Sequence, residues 1–187
     1  MRRVIQFVVV AVAVIFSLNV LAAQPPAVGE AFPVLKLSSP ADREHRAYLG
    51  LSSKDLFEVV QVKAEVVILE IMSMYCNFCQ NGAADVNRLY RLIEDNPKLK
   101  GRIKLIGIGA GNSSYELKVF REKYRVPFPL IPDRDFAVHA SLGEVRTPYF
   151  IGVTIEGDAA RVFYSKAGSF GDPSAFLGDI VRLSGLK

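Results

Sequence analysis

Two cysteines stand in this 187-residue chain, Cys76 and Cys79, two positions apart in Met74-Tyr75-Cys76-Asn77-Phe78-Cys79-Gln80. A pair at that spacing suits thiol–disulfide exchange, half of a zinc site, a haem thioether anchor or a plain structural bridge. Zinc needs further ligands, and His45 and His139 are the only histidines. A haem anchor needs histidine directly after the second cysteine, where this chain has Gln80. Exchange chemistry makes its own demand. One thiol must ionise and attack, and the other must stand one helical turn away to displace the resulting mixed disulfide.

The flanking residues meet that demand. Val66 to Ile71 is nearly all apolar and rich in β-branched side chains, as expected of a strand covered on both faces in a parallel sheet. Asn77 to Asp95 carries Val86, Leu89, Tyr90 and Ile93 at helical spacing and stops at Asn96-Pro97. Cys76 therefore falls beyond the carboxyl end of a strand and just ahead of a helix. Ligand chemistry gathers there in open α/β sheets, and helix N-terminal amides favour thiolate over thiol. Cys76 is the expected nucleophile and Cys79 the resolving thiol.

The remaining elements extend the same pattern. Arg102 to Ile108 reads as a second strand, and Ser113-x-x-Glu116 as a capping box opening a helix with Leu117, Phe120 and Tyr124 on one face. Phe128 to Ile131 is a short extended run, and Asp135 to Leu142 a short helix capped by Gly143. Tyr149 to Ile155 and Ala160 to Lys166 read as a hairpin turning at Glu156-Gly157-Asp158. Asp172-Pro173 opens a last helix with Phe176, Leu177, Ile180 and Val181 inward. Ahead of these, Ala31 to Leu37 reads as extended, Ser38 to Arg46 as a polar loop and Ala47 to Leu51 as a strand. Ser52 to Val62 supports helix and strand equally. The class is α/β: a central mixed sheet in the order βαβ…ββα, flanked by helices, with an N-terminal extension.

Composition narrows the partners. Half the residues are hydrophobic and 22% are charged, which is globular. The net charge is +4, of which Arg2 and Arg3 supply two, and the rest carries 21 basic against 19 acidic residues. That leaves no footprint for nucleic acid. Met1-Arg2-Arg3, the apolar stretch from Val4 to Val20 and the small residues Ala22-Ala23 read as a secretory signal over 1–23, cleaved after Ala23. About 20 apolar residues also suffice for an uncleaved anchor. Either outcome places the domain outside the cytoplasm, in the periplasm or cell envelope, where cysteine pairs persist oxidised. Residues 24–30, with Pro25, Pro26 and Gly29, read as a mobile linker ahead of a domain over 31–187.

Cys76-Asn77-Phe78-Cys79 after a buried strand, Thr147-Pro148 ahead of the ββα half and Gly168 before the last helix together resemble the thioredoxin superfamily. The nearest likeness is to its extracytoplasmic TlpA/ResA-like thiol–disulfide oxidoreductases, with some redoxin character. The resemblance implies that Pro148 is cis and faces the cysteines, and that the Thr147 backbone pairs with an extended substrate segment. It also puts Glu70, six residues before Cys76, where thioredoxins carry a buried acid. Such an acid would have a raised pKa and relay a proton for Cys79. The alternation of the strand equally allows Glu70 to point outward into solvent. Two departures stand out. Tyr75 replaces the usual tryptophan as a flat contact surface, and no proline lies between the cysteines.

The resulting expectation is an exported protein thiol–disulfide oxidoreductase whose only redox group is the Cys76–Cys79 disulfide, with no cofactor. Its sites are Cys76, Cys79 and Glu70 for catalysis, and Tyr75, Thr147 and Pro148 for the substrate. By resemblance, its partners are envelope protein thiols, apocytochrome c among them, and a membrane thiol electron donor. Two other readings remain: a copper chaperone that adds His139 to the cysteines, and a binding module with an inert bridge. A peroxidatic cysteine would need a Pro/Thr-flanked loop that Val66 to Tyr75 does not supply.

Overall fold

The computed structural model describes residues 23–53 and 55–187. The secretory signal expected over 1–23 therefore lies outside the described residues, apart from Ala23. No helix among the described residues is long and apolar enough to cross a membrane.

Among the described residues, five strands form one mixed sheet: β1 (Val66–Met72), β2 (Ile103–Ala110), β3 (Leu130–Asp133), β4 (Tyr149–Glu156) and β5 (Ala159–Ala167). Their order is β3-β2-β1-β4-β5. β1 runs parallel to β2 and antiparallel to β4, so the strand that leads to the cysteines is central. β3 extends the parallel half, and β5 pairs with β4 as a hairpin. Every residue of β1 is buried, which is why its sequence is a solid apolar run rather than an alternating one.

Alternation along β1 nevertheless sorts its side chains between two cores. Val67, Leu69 and Ile71 join a cluster with α1 (Arg43–Leu49) and α4 (Ala137–Ser141) through Leu49, Val138 and Leu142. Val66, Ile68 and Met72 face the other way, into a cluster with Cys79, Val86 and Leu89 of α2 (Asn77–Glu94). Leu117 and Phe120 of α3 (Ser114–Tyr124) and Phe176 and Ile180 of α5 (Pro173–Ser184) complete it. Gly109 in β2 makes room for this layer, because a Cβ there would stand 2.5 Å from Leu117.

Several expectations need correction. Arg43–Leu49 is a helix, not the end of a polar loop followed by a strand. Asp42 caps it by accepting the Glu44 amide, and Gly50 ends it in the left-handed region. Only Leu49 of its seven residues is buried, so it shows no apolar periodicity, and Tyr48 ties it to β2 by accepting the Leu105 amide. The ambiguous stretch resolves into a bridge between Leu37 and Phe57 and one 3-10 turn at Val59–Gln61. The linker is not free either. Gly29 donates to the Val162 carbonyl, and Val162 donates back to Glu30. Phe32 donates to Ala160, so the extension covers the outer edge of β5.

Candidate active site

Cys76 is the N-cap of α2. Its backbone is extended (φ −84°, ψ 113°), and its sulfur accepts the Cys79 amide at 3.3 Å. A sulfur thus fills the place that a hydroxyl or carboxylate takes in most caps. The Cys76 thiol in turn lies 3.3 Å from the Thr147 carbonyl and donates to it. Burial works against its ionisation, but the Cys79 and Thr147 side chains and the Cys79 and Phe78 amides outweigh that and hold its pKa below the ordinary thiol value.

Cys79 has the opposite environment. It is 1% exposed, and burial, then the Cys76 thiol, push its pKa far above the thiol range, with the Glu70 charge adding to the effect. Both thiols are free. The pair is therefore split into a partly exposed, easily ionised sulfur and a buried, protonated one.

Glu70 lies in the middle of β1 with 5% of its surface exposed. Its neighbours by alternation, Ile68 and Met72, face the Cys79 layer, and that parity decides between the two orientations the strand allowed. Burial alone raises its pKa to about 8. Glu70 and Cys79 share a small cleft with Pro148, Phe78, Asp85 and Phe170. Its volume of about 10 Å³ is near the minimum that holds one water.

The Thr147–Pro148 peptide is cis. The Pro148 carbonyl accepts the Gly168 amide at 2.8 Å, which ties the start of β4 to the end of β5. The structure thus brings Cys76, Cys79, Glu70, Thr147 and Pro148 to one end of the sheet. Tyr75 and Phe78 flank Cys76 and are 67% and 77% exposed, a pair of aromatic surfaces beside the accessible sulfur.

Three residues that the motif reading did not assign hold this arrangement. Gln80 donates to the Met74 carbonyl at 2.7 Å and accepts the Tyr124 hydroxyl at 3.1 Å. Asn112 is fully buried and accepts the Met74 amide at 2.8 Å. Glu116 accepts the Tyr75 hydroxyl. Gln80 sits next to Cys79 in sequence and was visible only as the residue that is not histidine. Asn112 and Glu116 lie far along the chain and carry no local signal of the contact.

The histidines stand elsewhere. His139 places its ring Nε2 2.9 Å from the Val145 carbonyl, and its amide donates to Asp133. His45 meets Arg121 at 3.1 Å. Among the described residues, no three His, Cys, Asp or Glu side chains gather as a metal site, so His139 is not brought to the cysteines as the copper reading requires.

No protein-family model matches the sequence, and no curated protein matches it. Solved structures do match in fold. A candidate protein disulfide isomerase from Bacteroides thetaiotaomicron superposes with a TM-score of 0.63 at 15% identity, over 86% of this chain and 90% of its own. The thioredoxin domain of a thiol–disulfide oxidoreductase from Bacteroides vulgatus gives 0.59 at 12% identity, over 82% and 98%. A secreted Mycobacterium tuberculosis disulfide oxidoreductase, homologous to Escherichia coli DsbE, gives 0.50 at 16%, over 69% and 90%. The chain has a thioredoxin-like fold, with its cysteine pair at the carboxyl end of the central strand.

Proposed function

We propose that this protein is an exported thiol–disulfide oxidoreductase that exchanges disulfides with protein thiols of the cell envelope. The observation that carries the reading is the asymmetry of the two sulfurs at one helix N-terminus. Cys76 is accessible with a depressed pKa, while Cys79 is buried with a raised one.

In the reducing direction, the Cys76 thiolate attacks a partner disulfide and forms a mixed disulfide, releasing one partner sulfur as thiolate. Cys79 then gives its proton to the Glu70 carboxylate, through a water held in the shared cleft. The Cys79 thiolate attacks the Cys76 sulfur, closes the Cys76–Cys79 disulfide and expels the second partner sulfur. Two electrons pass to the partner. The oxidising direction is the same sequence reversed. The Thr147 backbone holds the partner segment beside Cys76, and Tyr75 gives it an aromatic surface.

The TlpA/ResA likeness makes apocytochrome c one such partner and a membrane thiol protein the electron donor. The apolar N-terminus supports export. Replacing Cys79 by Ser removes the resolving sulfur, so Cys79→Ser should accumulate mixed disulfides with envelope proteins on non-reducing gels, and Cys76→Ser should trap far fewer. If neither variant traps anything and the wild-type disulfide resists small dithiols, the pair is an inert bridge in a binding module.

A further inference from the structure

Two consecutive residues of the loop that delivers Cys76 are tied to a single place. The Met74 amide donates to Asn112 Oδ1 at 2.8 Å, and the Tyr75 hydroxyl donates to Glu116 Oε1. Asn112 belongs to the turn between β2 and α3, and Glu116 to the first turn of α3. The other Glu116 oxygen, Oε2, accepts the Ser113 amide and the Ser113 hydroxyl, both at 2.7 Å. Those contacts are half of the capping box of α3. One carboxylate thus closes the cap with one oxygen and holds the residue beside the nucleophile with the other.

We propose that Glu116 is a positioning residue for Cys76 and acts on it through the Tyr75 hydroxyl. The proposal rests on the reading of Cys76 as the attacking thiol. Cys76 depends on loop geometry, since its sulfur accepts the Cys79 amide at 3.3 Å, the contact that favours its thiolate. Tyr75 is largely exposed, so burial of its ring does little to fix it, and a hydrogen bond to an ionised acceptor is the strong constraint left. The carboxylate stays ionised across the neutral range. The Tyr75 hydroxyl, followed by Ser113, holds the Glu116 pKa at about 2, and the Arg134 charge adds to this. The same contact pushes the Tyr75 pKa up, so its hydroxyl keeps the proton it donates.

Positioning and through-space charge predict opposite signs. A carboxylate acting only by its field disfavours the Cys76 thiolate, so removing that charge would lower the thiol pKa. A carboxylate that positions the loop preserves the amide contact to the sulfur, so removing it raises the pKa.

The test is the rate of Cys76 alkylation by iodoacetamide against pH, in the reduced full chain, with peptide mapping to separate Cys76 from Cys79. Tyr75→Phe keeps the exposed ring without the donor, and Glu116→Gln keeps an acceptor for Ser113, so both fold. The alkylation midpoint should move up in each, with the rate at pH 7 about threefold lower, and the double variant should lose no more than either single one. An unchanged or lowered midpoint in either single variant, or losses that add in the double, overturns the proposal. Alkylation needs no protein partner, so a chain that shows these shifts yet traps no mixed disulfide keeps the positioning role and loses the proposed function.

Discussion

Glu70 and Cys79 share a small cleft with room for about one water, and in the proposed mechanism a proton passes between them there. With its pKa raised to about 8 by burial, Glu70 is near balance between acid and carboxylate just above neutral pH. That balance suits the proposed role, in which Glu70 takes a proton from the buried Cys79 thiol and returns it. Glu70→Gln removes the acceptor while leaving Cys76 and the fold in place. The first step should be nearly unchanged, whereas resolution of the mixed disulfide should slow by about 10- to 100-fold. Rapid-quench kinetics with a peptide disulfide separates the two steps. An equal slowing of both would mean that Glu70 acts on the whole loop rather than on Cys79.

At the scale of elements, the site depends on helix ends more than on helix bodies. α2 begins at a sulfur cap, and α3 begins at the capping box whose carboxylate holds Tyr75. α5 begins at Asp172, which accepts the Ser174 and Ala175 amides, with proline in the first turn. α5 matters to the site because Phe176 stacks on Phe170, with 4.4 Å between ring centroids, and Phe170 meets Phe150 edge-on at 5.0 Å. Both Phe170 and Phe150 line the Glu70 cleft. Asp172→Ala leaves two amides without that acceptor and should cost about 1 kcal/mol. It should show as a lower urea midpoint at unchanged slope. A change in slope would point to a looser native state instead.

For the whole molecule, Glu70 also sets how stability depends on pH. Its folded pKa of about 8 lies above its ordinary value of 4.5, so the folded form holds the proton more tightly than the unfolded chain does. That contribution is fully present below pH 4.5 and is lost as pH rises through 8. Glu70→Gln should therefore flatten the stability profile between those limits and stabilise the fold at pH 7 by on the order of 3 kcal/mol. Denaturant midpoints at several pH values read this directly. A variant less stable than wild type at pH 7 would show that the buried carboxyl has hydrogen-bond partners that outweigh its desolvation. Lys104 is a second buried titratable group, and its burial pushes the ammonium pKa down. It is 7% exposed in β2, with its ammonium 3.9 Å from the Tyr48 ring centroid and 3.8 Å from Glu94.

The order of elements from β1 onward was legible in the sequence because each has its own local signal. A nearly all-apolar run, broken only by Glu70, marks β1, a capping box marks α3, and Asp172-Pro173 marks α5. The cysteine pair at the strand–helix joint was legible for the same reason. Local signals faded where contacts from elsewhere hold the chain. α1 has a single buried residue, and β3 lies at Leu130–Asp133 rather than 128–131 because pairing with β2 sets its bounds. α4 is confined to Ala137–Ser141, since Phe136 before it is left-handed at φ 59°. The sequence by itself determined that two thiols stand one helical turn apart beyond a buried strand, since spacing and hydrophobicity are properties of the chain. Only the tertiary structure decided that Glu70 faces Cys79 and not the opposite core. It alone also decided that the cysteine loop is held by Asn112 and Glu116. Facing and cross-chain hydrogen bonds depend on which layer packs on each side of the sheet, and no single segment encodes that.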